Sequence, residues 1–433
     1  MTKKLLKQNQ KTVLVAMSGG VDSSVAALLM KQHGFEVIGV FMKNWSDTKD
    51  PITGECSWRE DRAIAQKIAA KLNIPLITLD FEKQYRKQVV DEMFKKYKKG
   101  ITPNPDIDCN EKVKFPLLLK ALEKLKADYL VTGHYARIKK IKLGNKKSVN
   151  SKNKLREQGS SIKNYINERA EGEHYTYELF RAKDETKDQS YFLYRLKQSE
   201  LAKTLFPIGD YTKKQIREIA QKAGFQNFDR KSTIGICFIG KVNLKQFLQK
   251  KIKPKPGKIL NPDGKVIGKH DGIYYYTIGQ RIGQRFGIEV EKAPGIGGSM
   301  RKWYVARKDA KTNTIIAAPE GHKLNFRKEI FIKDAYWINE VPFSKKNKIV
   351  NLKTSRVDST IKSYSHRQAG WAKSIKVLSR IRQVGELLPS TLKYLNGNPQ
   401  IILNKPITGV SEGQAIVLYQ GEKVLGGGVI SFS

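Results

Sequence analysis

The stretch from Thr12 to Phe41 constrains the fold more than any other part of the chain. Thr12–Ala16 is a short apolar run of strand-forming residues, and Ser18-Gly19-Gly20 breaks it. Val21–His33 then has helical spacing and stops at Gly34, and Phe35–Phe41 is apolar and strand-like again. Two parallel strands need a crossover between them, and a helix supplies it, so this order reads as a βαβ unit. The rhythm continues with a helix over Arg59–Leu72, a strand over Pro75–Leu79 and a helix over Glu82–Lys98. A loop held extended by Pro103 and Pro105 follows, then a helix over Phe115–Lys126 and a strand over Asp128–Thr132. The fold class expected is α/β, with a doubly wound parallel sheet.

Residues 139–174 lose apolar periodicity and are rich in Lys, Asn, Ser, Glu and Gly, which reads as a basic insertion. Tyr175–Ala182 is strand-like, and Lys213–Ala223 is a helix ended by Gly224. From about residue 252 short β runs alternate with turn sequences such as Asn261-Pro-Asp-Gly264 and Asp271-Gly272. They suggest a small β domain and then a larger one, plausibly a β-barrel, with strands at Glu329–Ile332, Ile401–Leu403 and Ala415–Tyr419. The domain reading is 1–245, 246–318 and 319–433.

With 39% hydrophobic residues in 433, the chain can build ordinary cores, so global disorder is not expected. No apolar run approaches the roughly 18 residues of a membrane span. Met1–Lys11 is polar and basic with no apolar signal region, so the expectation is a cytoplasmic protein without a membrane partner. Lys and Arg number 81 against 41 Asp and Glu, a formal charge of +40. This reads either as the solvated surface of a Lys-rich protein or as a surface for a polyanionic partner, and charge alone does not separate tRNA from DNA, rRNA or anionic lipid. The three cysteines, Cys56, Cys109 and Cys237, are too far apart for a zinc cluster, so no metal site is expected from them. They are either inert buried thiols or reactive ones.

Ser18-Gly-Gly-Val-Asp-Ser-Ser24 follows a strand and opens a helix. Glycines let the backbone turn tightly and approach a ligand, and the freed amides at a helix N-terminus attract anions. Asp22 is an odd neighbour for a phosphate unless a cation such as Mg2+ lies between them. The string is not a Walker loop, since no Gly-Lys-Ser/Thr follows. It resembles the pyrophosphate loop (PP-loop) of the N-type ATP pyrophosphatases, which implies ATP cleavage between the α and β phosphates and adenylation of a carbonyl oxygen.

Cys109 lies in Thr102-Pro-Asn-Pro-Asp-Ile-Asp-Cys-Asn-Glu-Lys-Val-Lys-Phe115. Asp106 stands three residues before it, close enough to exchange a proton with a shared substrate. Lys112 and Lys114 favour a thiolate, and Asp108 opposes one. Cys237 lies in Gly235-Ile-Cys-Phe-Ile-Gly240, whose apolar flanks suggest a buried strand end where an inert core thiol is the default.

Taken together, Asn104-Pro-Asp-x-x-Cys-Asn110, Gly235-Ile-Cys-Phe-Ile-Gly240 and the phosphate loop resemble the tRNA 2-thiouridylases. So do Phe41-Met-Lys-Asn-Trp45, Gly133-His-Tyr135, Lys187-Asp-Gln-Ser-Tyr-Phe-Leu193, Thr277-Ile-Gly-Gln-Arg281, Trp303-Tyr-Val305 and Leu425-Gly-Gly-Gly428. The likeness spans nearly the whole chain. It implies ATP-dependent 2-thiolation of the wobble uridine of tRNA, with Ala16, Met17, Ser18, Gly19, Gly20, Val21, Asp22, Ser23, Met42 and Gly133 holding ATP together with Mg2+. It also implies Asn104, Pro105 and Asp106 at the target base, with Asp106 as general acid/base, Cys237 as persulfide carrier and Cys109 as its partner nucleophile. His134, Lys187, Asp188, Gln189, Arg380, Ile381 and Gln414 then correspond to tRNA contacts. The implied partners are the tRNA anticodon arm and a sulfur-relay protein or cysteine desulfurase, and the chain is expected to act as a monomer. Ser232-Thr-Ile234 departs from the family pattern before Cys237, Ile381 replaces an aromatic residue, and 139–174, 284–294 and 355–378 are longer than usual. Cys56 matches no catalytic motif and reads as structural. Met17 and Trp45 read as packing residues near the site. The rival readings are another PP-loop enzyme, such as a 4-thiouridine synthase or an amide ligase, and a non-catalytic RNA-binding protein.

Overall fold

The computed structural model describes residues 10–46, 56–142, 175–230, 243–283, 290, 293–294, 300–342 and 374–432. The first strands are β1 (Thr12–Ala16), β2 (Glu36–Lys43), β3 (Leu76–Asp80) and β4 (Tyr129–Val131), with β7 (Thr204–Leu205) later in the chain. They form one parallel sheet in the order β3-β2-β1-β4-β7. Helix α1 (Val21–Gln32) links β1 to β2, and α2 (Ser57–Lys71) links β2 to β3. The chain then returns across the sheet through two long helices, α3 (residues 82–98) and α4 (residues 105–124), to place β4 on the far side of β1. The strand order therefore reverses between β1 and β4, where open α/β sheets form a ligand crevice at the carboxyl ends of their strands. Val13, Leu14, Val15, Leu130 and Val131 are wholly buried in this sheet, as strands covered on both faces require.

Two local readings are corrected. The segment around Pro103 and Pro105 is not an extended loop running to Phe115. A helix begins at Pro105, because Asn104 caps it by accepting from the Ile107 amide at 3.3 Å, and proline is at home in a first turn whose N–H has no partner anyway. The helix widens to a π turn over Asn110–Lys114 and continues as Phe115–Lys124. Pro116 has no N–H to give, and the widened turn just before it relieves the clash an ordinary α turn would impose. Nor does the basic insertion begin at 139. Strand β5 runs over Ala136–Lys142 and pairs along its length with β6 (Tyr175–Arg181). Lys139 and Lys140 sit over the rings of Phe180 and Tyr175, at 4.6 and 4.0 Å, so these charges cover an exposed strand face. Residues 143–174 lie outside the described residues.

Helix α5 (Lys213–Lys222) packs beside α1, and a short helix α6 (Leu244–Gln249) leads into the β-rich half. There β8 (Gly257–Leu260), β9 (Val266–His270), β10 (Arg281–Ile282), β13 (Trp303–Asp309) and β14 (Thr314–Pro319) form a sheet in the order β10-β13-β14-β8-β9. Between them β11 (Ala293–Pro294) and β12 (Met300–Arg301) pair with each other. The last six strands are β15 (Phe326–Trp337), β16 (Ser374–Arg380), β17 (Leu388–Leu395), β18 (Asn398–Thr408), β19 (Ala415–Gln420) and β20 (Lys423–Ser431). They run antiparallel in the order β15-β18-β17-β16-β19-β20, and β15 pairs back onto β20 to close a barrel around Ile330, Leu392, Ile401, Ile416 and Leu418. Within the stretch read as long, 355–378, the part from Ser374 belongs to β16.

Two apolar clusters join the parts. Trp45, Tyr85, Cys109 and Phe247 pack with Tyr274, Tyr275 and Trp303 of the central sheet. Met42, Phe115 and Tyr191 pack with Ala415, Val417 and Tyr419 of the barrel. Burying each of these large side chains contributes about 1.5–3 kcal/mol. Among the described residues no helix is long and apolar enough to cross a membrane.

Candidate active site

At the end of β1 the Met17 amide donates to Val40 O at 2.8 Å, and the chain turns at Gly19, whose φ is +77°. A Cβ there would lie 2.3 Å from the Asp61 carbonyl oxygen of α2, so only glycine fits both the conformation and the space. The Ser23 and Ser24 hydroxyls each donate to Gly20 O at 3.0 Å, and the Ser18 amide donates to Ser23 Oγ at 3.1 Å. The serines therefore hold the turn, and Ser18 is exposed at its rim. At the exit of β4, Gly133 comes so close to the first turn of α1 that a Cβ would stand 2.7 Å from the Ser23 nitrogen. The crevice between β1 and β4 thus opens directly onto the N-terminal amides of α1, an anion site. The Asn227 side-chain amide, which sequence reasoning missed, donates to Gly19 O at 2.9 Å and to Ser24 Oγ at 3.1 Å.

Asp22 has its own partners. Lys213 Nζ stands 2.7 and 2.8 Å from its two oxygens, and the Tyr135 hydroxyl donates to Oδ1 at 2.8 Å. The sequence reading allowed a cation such as Mg2+ between this carboxylate and a phosphate, and in the structure the Lys213 ammonium lies against both carboxylate oxygens. Nothing in the sequence ties Lys213 to a loop 191 residues earlier.

Asp106 and Cys109 lie three residues apart on the first turns of α4 and so share a face. Cys109 is 0% exposed, in the apolar joint with Trp45, Tyr85, Val113 and Phe247. Lys112 pairs with buried Asp108 at 2.7 Å, which also takes Lys96 at 3.1 Å. Lys114 approaches His134 Nε2 at 3.5 Å, and His134 Nδ1 is 2.7 Å from Thr132 Oγ1. An ammonium can only donate, so Nε2 accepts and the proton sits on Nδ1. Burial, and secondarily the Lys114 charge, push His134 well below the ordinary histidine range, leaving a neutral ring between Phe115 and Phe206. The Asn44 side-chain amide, at the exit of β2, is 1% exposed, and among the described residues neither of its polar atoms has a hydrogen-bond partner. Trp45 Nε1 is likewise buried and without a partner among the described residues. Cys56 donates to Ser46 O at 2.7 Å ahead of α2.

The expected tRNA contacts divide into two groups. Lys187 is exposed. Asp188 is 1% exposed and accepts from Arg380 Nη1 at 2.6 Å, the Ala182 and Ser190 amides at 3.0 and 3.2 Å, and Ser190 Oγ at 3.0 Å. Arg380 and Ile381 are buried with it. Gln189 exchanges two hydrogen bonds with the Tyr135 backbone, at 2.8 and 2.9 Å. Gln414 donates to Pro103 O at 2.9 Å, fastening the barrel to the turn that begins α4.

Cys237 lies outside the described residues, as does the segment 231–242 that carries it. Its two flanks are described. On one side Arg230 pairs with Asp61 at 2.7 Å, next to the phosphate loop, and on the other Phe247 of α6 packs edge-on against Trp45 at 6.5 Å in the Cys109 cluster.

A parallel sheet with a glycine-turned anion loop at its switch point, followed by two β modules, defines a nucleotide-binding HUP-domain protein with appended barrels. Family profiles match accordingly: "tRNA methyl transferase HUP domain" over residues 11–241, "tRNA methyl transferase PRC-barrel domain" over 245–319 and "Aminomethyltransferase beta-barrel domain" over 327–430. The chain is 37% identical to the tRNA-specific 2-thiouridylase MnmA of Listeria monocytogenes, covering 96% of this chain and 94% of that one. It is 36% identical to the protein of the same name from Lysinibacillus sphaericus (98% and 94% covered) and 34% identical to that of Flavobacterium johnsoniae (97% and 100% covered). The chain belongs to the tRNA-specific 2-thiouridylase family.

Proposed function

We propose that this protein exchanges the carbon-2 oxygen of the tRNA wobble uridine for sulfur at the expense of ATP, as the names of its relatives describe. The observation that carries the reading is the way the exits of β2 and β4 bridge two chemistries. Gly133 touches the phosphate loop while the next residue, His134, packs on α4. Met42 lies at the crevice while Trp45 packs beside Cys109. A base held against α4 is then within the reach of a nucleotide in the loop. The formal charge of +40 suits a polyanionic substrate.

A uracil carbonyl oxygen is a poor leaving group. In the proposed sequence it attacks the α-phosphorus of ATP, pyrophosphate departs, and the oxygen becomes part of a good leaving group. The backbone of the phosphate loop from Ala16 to Ser23, with Met42 and Gly133, binds the nucleotide. Asn104 and Pro105 meet the flipped base, and Asp106 takes the proton from its ring nitrogen. The outer sulfur of a Cys237 persulfide attacks carbon-2. The Cys109 thiolate attacks the inner sulfur, the sulfur–sulfur bond breaks, and AMP leaves with the original oxygen. A Cys109–Cys237 disulfide remains, and an external thiol reduces it. A cysteine-desulfurase relay reloads Cys237. The segment 231–242 supports this step because its flanks sit at the phosphate loop and at the Cys109 cluster. Lys187 contacts tRNA directly. His134, Gln189 and Gln414 shape the pocket wall, and Asp188, Arg380 and Ile381 act on tRNA through the joint that sets the barrel beside α4.

The phosphate loop fits ATP by its turn and its amides. It does not fit a metal at Asp22, whose oxygens are already engaged by Lys213 and Tyr135, and no step is assigned to one there.

The test is incubation with tRNA, ATP and a persulfide donor, followed by digestion and mass measurement of the nucleosides. A uridine heavier by the difference between sulfur and oxygen is expected, with Cys237→Ser and Cys109→Ser inactive. Full activity of Cys237→Ser would overturn the sulfur route, and a methylated product would overturn the reaction class.

A further inference from the structure

We propose that Lys213 stands where a divalent cation would otherwise be required, so that the phosphate loop receives the triphosphate of ATP without a metal ion bound by Asp22. The proposal rests on the reading of Ser18–Ser24 as the phosphate site.

A bare carboxylate in the first turn of α1 would repel a triphosphate arriving at the same helix end. Lys213 removes that repulsion by meeting both oxygens, at 2.7 and 2.8 Å, with the Tyr135 hydroxyl on Oδ1 at 2.8 Å. Its ammonium is fixed rather than free to wander. The side chain is 11% exposed, and the residue opens α5, where Thr212 accepts from the Gln215 amide at 3.3 Å. The Lys213 amide donates to Asp184 Oδ2 at 2.9 Å. Burial, and then the Asp22 charge, raise the Tyr135 hydroxyl far above the ordinary tyrosine range, so it stays a donor. A metal ion at Asp22 would have to share one carboxylate with an ammonium already in contact, at the cost of like-charge repulsion. Among the described residues no group of three or more His, Cys, Asp or Glu could hold a metal ion elsewhere. Lys213 is therefore a positioning residue. It neutralises Asp22 and ties α5 to the loop and to the Gly133–Tyr135 wall.

The experiment is ATP binding by titration calorimetry, in EDTA and across a Mg2+ series, for the full chain, Lys213→Met, Asp22→Asn and the double variant. In EDTA, Lys213→Met is expected to weaken ATP binding on the order of tenfold, because it uncovers the carboxylate, and Mg2+ should recover it. Asp22→Asn is expected to bind at least as tightly as the parent in EDTA and to keep the parent's Mg2+ response. The double variant should return close to the parent. The sign of the Mg2+ response is the readout, and a partly unfolded sample does not reproduce it. An Asp22→Asn protein that loses the parent's Mg2+ response, or a Lys213→Met protein that binds like the parent in EDTA, would overturn this proposal alone. A parent chain that binds no ATP at any Mg2+ concentration would overturn the phosphate-loop reading and this proposal with it.

Discussion

Replacing Arg380 by Met isolates the joint between the parallel-sheet domain and the barrel. Asp188 would lose the guanidinium at 2.6 Å while keeping two amide donors and the Ser190 hydroxyl, with Arg181 Nε at 3.7 Å as its remaining cation. Removing one partner of a buried ion pair costs about 3–5 kcal/mol. The donors that remain, and the nearby Arg181, place this case at the low end, about 3 kcal/mol. A cooperative unit of 150–250 residues shifts its midpoint by roughly 2–4 °C per kcal/mol, so a fall of roughly 6–12 °C is expected in a thermal scan. Asp188→Asn on the Arg380→Met background should return most of it, because the orphaned charge is gone. In parallel, kcat/KM for tRNA should fall while ATP affinity holds, since the side-chain hydrogen bonds and ion pairs of Asp188 and Arg380 among the described residues go to Ala182, Ser190 and Arg181 and not to the phosphate loop. An Arg380→Met protein within about 1 kcal/mol of the parent, with no rescue by Asp188→Asn, would refute the assignment of this pair to the joint.

Three further outcomes are expected. Gly19→Ala should abolish measurable ATP binding in calorimetry, since its Cβ would sit 2.3 Å from Asp61 O at a φ of +77°. Asp106→Asn should cut the single-turnover thiolation rate by roughly 10²–10⁴-fold while tRNA affinity from filter binding changes less than about threefold. Equal loss of both would make it a binding residue instead. Burial lowers Lys308 from the ordinary 10.5 to about 8, opposed in part by Glu412. The unfolded chain then holds more protons above about pH 8, so this group's penalty is complete below that pH and is relieved as pH rises toward 10.5. Lys308→Met should therefore be more stable than the parent by about 1 kcal/mol at pH 7, with the gap closing as pH rises through the folded value, as urea midpoints would report.

The parallel sheet was legible because β1, β2 and β4 carry runs of buried apolar residues, and because Gly34 and Gly224 end their helices in the left-handed region. Strand β7 was missed because two residues carry no periodicity. Pro103 and Pro105 were read as loop-makers, and the capping by Asn104 that turns Pro105 into a helix start shows only when Asn104, Pro105 and Ile107 are weighed together. The phosphate loop could be read locally, since its serines bond to its own backbone. The partners of Asp22 and Asp188 could not, because Lys213 and Arg380 come 191 and 192 residues later and meet them only through tertiary packing. The packing of His134 between the rings of Phe115 and Phe206 could not be read either, because those rings belong to separate segments of the chain.

The hairpin of β5 and β6 leaves the parallel-sheet domain and lies along β20, with Phe180 opposite Lys423 and the Arg181 amide on Glu422 O at 2.8 Å. Each half of the molecule thus supplies backbone hydrogen-bonding groups that the other half needs. A fragment cut between the central sheet and the barrel would bare a ribbon edge on both pieces, inviting association with strangers. The pieces to keep together in any expression experiment are accordingly the parallel-sheet part and the barrel that share this ribbon.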